Sequence, residues 1–205
     1  MLNLNPNDAV TYTKEQQQAI DDLITNMGSR SGKELWDDEG VNGVFNDIKD
    51  RIREHCLDIQ QVRCAFCETG LVYGGVHIEH FAKKSKYWKF LYEPLNLVCS
   101  CPICNGFALK GTRDTIKDAE RPNYRDNTFL YVHPFLDDVD REIKYKDIFK
   151  IFVDREKSTD KGKETIDLFH WDTVHARKKR FYNLFFWSTS KRRRKMISEI
   201  LNFKG

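Results

Sequence analysis

No apolar run in the sequence approaches the roughly 20 residues that a bilayer-crossing helix needs. No basic segment followed by an apolar one opens the chain, which starts Met1-Leu2-Asn3-Leu4-Asn5-Pro6, so no secretory signal is expected. A GxxxxGK[ST] phosphate-binding loop is missing, so nucleotide hydrolysis by this chain itself is not expected. Internal repeats and low-complexity linkers are absent as well. Aromatics are not scarce: 14 Phe, 8 Tyr and 4 Trp in 205 residues exclude a disordered chain and suffice for a real core.

The net charge of +3 hides strong segregation. Residues 1–60 carry 12 acids against 6 Lys/Arg, whereas residues 177–195 carry 9 Lys/Arg and no acid. That C-terminal stretch interleaves its cations with Phe181, Tyr182, Phe185, Phe186 and Trp187 and ends on Lys191-Arg192-Arg193-Arg194-Lys195. Contact with nucleic-acid phosphates is the leading reading. An acidic protein partner, including the acidic region of a second copy, and a plain solvated face are the competing ones.

Periodicity predicts helices first. Thr13 and Gln16 form a capping box for a helix from Lys14 to about Met27, with Ala19, Ile20, Leu23, Ile24 and Met27 as its apolar stripe. A second helix is expected from Gly43 to Ile59, with Val44, Ile48, Ile52, Cys56 and Ile59 on one face. Leu71–Tyr73 with Val76–Ile78, then Leu95–Cys99, read as short strands, and Pro102 suits the first position of a helix. Further strands are expected over 127–132 and 147–153, and a polar loop over 158–162. A helix is expected over 173–186 with Val174, Phe181, Leu184 and Phe185 inward, followed by a last helix capped by Ser190. The class is α+β, with an N-terminal helical region (1–61), a middle unit (62–113) and a C-terminal α+β region (114–205) ending in basic helices, in one compact unit.

Six cysteines without a secretory signal point to metal rather than disulfides. Cys64-x-x-Cys67 and Cys101-x-x-Cys104 are two knuckles separated by 33 residues. The two-residue spacer turns both sulfurs of a knuckle toward one ion, so a structural Zn²⁺ is expected, closed by four thiolates and therefore not catalytic. Buried free thiols or a redox pair are the competing readings. Cys56 and Cys99 are left over as core residues, with Cys99 a substitute for Cys101 if the register shifts. Between the knuckles stands His77-Ile78-Glu79-His80-Phe81, followed by Asn96-Leu97 and Cys104-Asn105. A carboxylate beside a histidine at a strand end offers a hard metal ligand and a general base together. An amide opening the next helix offers a second oxygen, a donor set that suits Mg²⁺ or Mn²⁺. A structural role is the bland alternative for any lone histidine. His77 is the rival base, His133 beside Pro134 reads as structural, and Asp137, Asp138 and Asp140 are a weaker candidate metal turn.

The combination CAFCE, HIEHF, NLVCSCPICN and Lys110-Gly111 resembles the HNH nucleases of the ββα-metal fold over about residues 63–111. It is similar in wording to the HNH subunits of bacterial phage-defence systems of the Septu kind, the PtuB-like family. Tyr131-Val132-His133-Pro134-Phe135 with Asp137-Asp138 also looks like that family, and Ser158 to Ile166 does so more faintly. The resemblance implies an HNH core with a four-cysteine zinc site, embedded in mainly helical N- and C-terminal segments. In it Glu79 is the acidic metal ligand, His80 the general base, Asn96 the residue that holds the loop and orients the histidine, and Asn105 a metal ligand through its side-chain oxygen. It also implies phosphodiester hydrolysis in nucleic acid, DNA rather than RNA, in the bacterial cytoplasm, with an ATPase subunit encoded nearby and self-association possible. Lys83 stands where that family often has Pro, and four residues rather than two separate Asn105 from Lys110. Lys83, Lys84 and Lys110, with Lys191, Arg192, Arg193 and Arg194, are therefore expected as phosphate contacts rather than catalysts. The alternative is a zinc-stabilised nucleic-acid-binding or interaction subunit with no activity of its own.

Overall fold

A computed structural model describes residues 1–71 and 75–187. Helix α1 spans Lys14–Thr25, and the capping box forms as expected: the Thr13 hydroxyl accepts from the Gln16 amide and the Gln16 side chain accepts from the Thr13 amide. Helix α2, Gly32–Asp37, falls in a stretch without apolar periodicity and is missed by sequence reading. Its signal is a second capping box, Ser31 with Glu34, in a helix too short to show a period. Helix α3, Val44–Ile59, buries Ile48, Ile52 and Cys56 as predicted, together with Phe45.

Strand β1, His77–His80, pairs antiparallel with β2, Leu97–Ser100. The register sets His77 opposite Ser100, Ile78 opposite Cys99, Glu79 opposite Val98 and His80 opposite Leu97. A single turn of helix, α4 (Pro102–Asn105), follows with proline at its start. The outer edge of β2 is sealed by a side chain. Buried Gln60 accepts from the Cys99 amide (2.8 Å) and donates to the Cys99 carbonyl (2.8 Å), in place of a third strand. Residues 72–74, part of the first predicted strand, lie outside the described residues, and Leu71 is not in a strand.

The C-terminal region departs further from expectation. Residues 127–132 form only one bridge, Phe129 with Ile116. Of the predicted 147–153 strand only its end is extended, as β4 (Val153–Asp154) paired with β3 (Lys144–Tyr145) after the short helix α5 (Val139–Glu142). The Asp147 carboxylate accepts from the amides of Phe149, Ile151 and Phe152, which folds that segment into a turn despite its β-favouring residues. The supposed polar loop is the start of helix α6, Asp160–Leu168, capped by Thr159. Helix α7, Val174–Trp187, matches the predicted span, but Val174 is exposed rather than inward, and Phe185 is only partly covered. The Ser190 cap, the last helix and Lys191–Arg194 lie outside the described residues. One buried cluster draws on all three sequence regions, from Val10 through Phe81 and Leu97 to Trp171. Among the described residues no helix is long and apolar enough to cross a membrane.

Candidate metal centre and active site

The four knuckle cysteines converge. The sulfurs of Cys64, Cys67, Cys101 and Cys104 all lie within 4.8 Å of one another, and Cys67 Sγ is 3.7 Å from Cys101 Sγ. Tetrahedral zinc with Zn–S bonds of ~2.3 Å holds its sulfurs about 3.8 Å apart, so four soft donors at this separation can hold a metal ion such as zinc. The Cys104 amide donates to Cys101 Sγ (3.4 Å), the contact that lets both sulfurs of a knuckle face inward. Hydrogen bonds among the four sulfurs lower Cys67 and Cys101 and raise Cys104, while burial raises Cys64. Cys56 and Cys99 are buried against each other outside the cluster, as the sequence reading places them.

Glu79 and His80 end β1, both buried. Lys110 forms an ion pair with Glu79 Oε1 and donates to the His80 carbonyl (2.8 Å). This corrects the expectation that Lys110 is a phosphate contact: at 1% exposure it neutralises a buried carboxylate instead. Burial still pushes the Glu79 carboxyl above the usual range, outweighing the Lys110 ammonium.

The His80 ring has a defined tautomer. Its Nε2 is 3.0 Å from the Leu91 carbonyl, which only accepts, so Nε2 carries the hydrogen and Nδ1 keeps its lone pair. Burial, with Lys84 nearby, lowers its pKa to about 3, so the imidazole is neutral at physiological pH. Trp36 of α2 stands edge-on to it, with ring centroids 4.5 Å apart.

Asn96 is fully buried and organises the loop that holds His80. Its oxygen accepts from the Ala82 amide (2.6 Å), and its nitrogen donates to the carbonyls of Phe90 (2.8 Å) and Ala82 (3.2 Å). Phe90 directly precedes Leu91, so Asn96 holds the residue next to the one whose carbonyl binds the histidine. A second layer supports it. His133 Nδ1 accepts from the amides of Phe135 (3.1 Å) and Leu136 (3.3 Å), so its Nε2–H donates to Tyr124 Oη (3.0 Å). Tyr124 in turn donates to Asn96 Oδ1 (2.9 Å). The sequence marks His133 as structural but carries no signal for Tyr124 or Trp36.

The two predicted oxygen ligands have different partners in this structure. Glu79 meets Lys110, whereas the Asn105 amide lies 3.0 Å from Nδ1 of exposed His77. Lys83 and Lys86 both pair with Asp114 (3.7 and 2.6 Å), while half-buried Lys84 sits over the Trp36 ring. The acidic turn is accounted for: Asp137 binds the His133 amide and Lys161, Asp138 caps α5, and Asp140 pairs with Lys150. In the basic stretch, Arg180 donates to the Ile151 and Trp171 carbonyls, and Arg177 lies over Phe152. Part of that charge therefore packs α7 onto the molecule. Comparison with protein-family models and with curated proteins finds no match to this chain.

Proposed function

We propose that the chain is an HNH-type endonuclease that hydrolyses phosphodiester bonds in nucleic acid, DNA in preference to RNA. In this reading it is the cytoplasmic nuclease of a bacterial anti-phage system of the Septu kind and works with an ATPase subunit. The observation that carries the reading is the geometry at His80: a tautomer fixed by the Leu91 carbonyl, which leaves the Nδ1 lone pair, next in sequence to a buried carboxylate. A buried histidine with a merely structural role needs no such neighbour.

His80 Nδ1 takes a proton from water as that water attacks phosphorus and the 3′ oxygen leaves. Leu91 holds the ring, and Asn96 holds Leu91 through the neighbouring Phe90 carbonyl. A divalent ion, Mg²⁺ or Mn²⁺, with Glu79 and Asn105 among its ligands would supply charge neutralisation at the phosphoryl oxygens. The four cysteines would hold Zn²⁺ with no open position, as a structural site.

One observation favours the alternative of a subunit silent by itself: His80 is only 4% exposed, beneath Trp36. The test is incubation of the zinc-loaded chain, alone and with any ATPase found encoded beside it, with plasmid, single-stranded DNA and RNA in Mg²⁺ or Mn²⁺. Cleavage abolished by EDTA is expected. No cleavage of any substrate under any of these conditions would remove the nuclease reading.

A further inference from the structure

His77, outside the ligand set proposed above, shares its strand face with Glu79. Residues two apart on a strand project to the same side, with Cα atoms roughly 6.6 Å apart, a spacing that allows chelation of one ion. Directly paired residues of neighbouring strands also share a face, which adds Ser100, the partner of His77. The segment after Cys104 covers this face: Asn105 reaches His77 and Lys110 reaches Glu79. Ser100 Oγ is fully buried and has no hydrogen-bond partner among the described residues. A buried hydroxyl left unpaired is uncommon and points to a water or an ion beside it. The Asn105 amide nitrogen donates to His77 Nδ1, so that nitrogen bears a lone pair. Lys110 engages Oε1 of Glu79, leaving Oε2 as the other donor.

We propose that His77 is a third protein ligand of the divalent ion, with Glu79 and Asn105, and that it makes the site select Mn²⁺ over Mg²⁺. This rests on the nuclease reading only for the existence of a second ion. An imidazole is a borderline donor that suits transition ions, whereas Mg²⁺ prefers oxygen throughout. Turning the Asn105 carboxamide about its last bond frees His77 Nδ1 and brings the amide oxygen beside it. Ser100 Oγ, unpaired and opposite His77 in the register, would bond a water on the ion.

The test is a titration of the zinc-loaded full chain with Mn²⁺, followed by the loss of the free-ion EPR signal, with Mg²⁺ as competitor. His77 is exposed, so His77→Ala is expected to fold and to keep its zinc. Wild type should bind one Mn²⁺ and resist a tenfold excess of Mg²⁺. His77→Ala should bind Mn²⁺ at least tenfold more weakly and lose the preference. Unchanged Mn²⁺ affinity in His77→Ala, with Asn105→Ala weakened, would overturn the role of His77 and leave the nuclease reading standing. No Mn²⁺ binding by wild type would overturn the role of His77, and the cleavage assay above, in Mg²⁺ or Mn²⁺, decides the nuclease reading separately.

Discussion

His80 and His133 are both buried and both neutral, and this has a consequence for stability. Their pKa values are depressed in the folded chain, to about 3 for His80 and well below the ordinary value for His133, chiefly by burial. The unfolded imidazoles take protons near pH ~6.5. A depressed folded value therefore contributes stability that is present above pH ~6.5 and lost as pH falls below it, at up to about 1.4 kcal/mol per pH unit for each histidine. Ring-nitrogen NMR at pH 5.5 is expected to show both rings as neutral Nε2–H tautomers, and a protonated His80 would contradict the assignment. Asn96 carries more single-residue bonds in the site than any neighbour. Asn96→Ala leaves the Ala82 amide and the Ala82 carbonyl without their partners in a fully buried place. Each unpaired group costs about 1–3 kcal/mol, so urea denaturation should report a loss of roughly 3 kcal/mol or more.

At the scale of elements, β1, β2 and α4 place the candidate site, and α2 covers it. Gly32 packs α2 against the loop after β1 so closely that a Cβ there would lie 1.9 Å from the Lys84 carbonyl oxygen. Gly32→Ala must push α2, and Trp36 with it, away from His80. The expected result is a lower melting temperature together with a raised hydrogen-exchange rate in 81–92, and an unchanged exchange pattern would show that α2 does not hold that loop. Much of this frame is legible in the sequence. The capping box at Thr13, the apolar stripes of α1 and α3, the strand before Cys101 and the proline-started helix are local signals and form locally. The missed parts depend on distance in the chain. Trp36 meets His80 across 44 positions, and Tyr124 meets Asn96 across 28, so no window reveals them. Residues 147–153 show a different failure: β propensity loses to one aspartate that captures three amides. Lys110 is visible as a residue but not as the partner of Glu79, because that role requires knowing that the carboxylate is buried.

Across the whole molecule, the cysteine cluster joins two segments 33 residues apart in sequence, on either side of the Glu79–His80 strand. Metal binding there would be coupled to folding of the middle of the chain. One zinc per chain is expected by elemental analysis, and Cys64→Ala should lose it together with cooperative unfolding. A stable, zinc-free variant that still cleaved nucleic acid would show the cluster to be dispensable. The charge is uneven along the sequence, with acids dominant over 1–60 and cations over 177–195. The proposed chemistry converges on one imidazole. The most direct measurement is therefore the single-turnover rate of plasmid cleavage in Mn²⁺ by wild type and His80→Ala, both zinc-loaded and both shown to unfold cooperatively. Removal of a positioned general base predicts a fall of about 10²–10⁴-fold. Equal rates would mean that His80 is not the base.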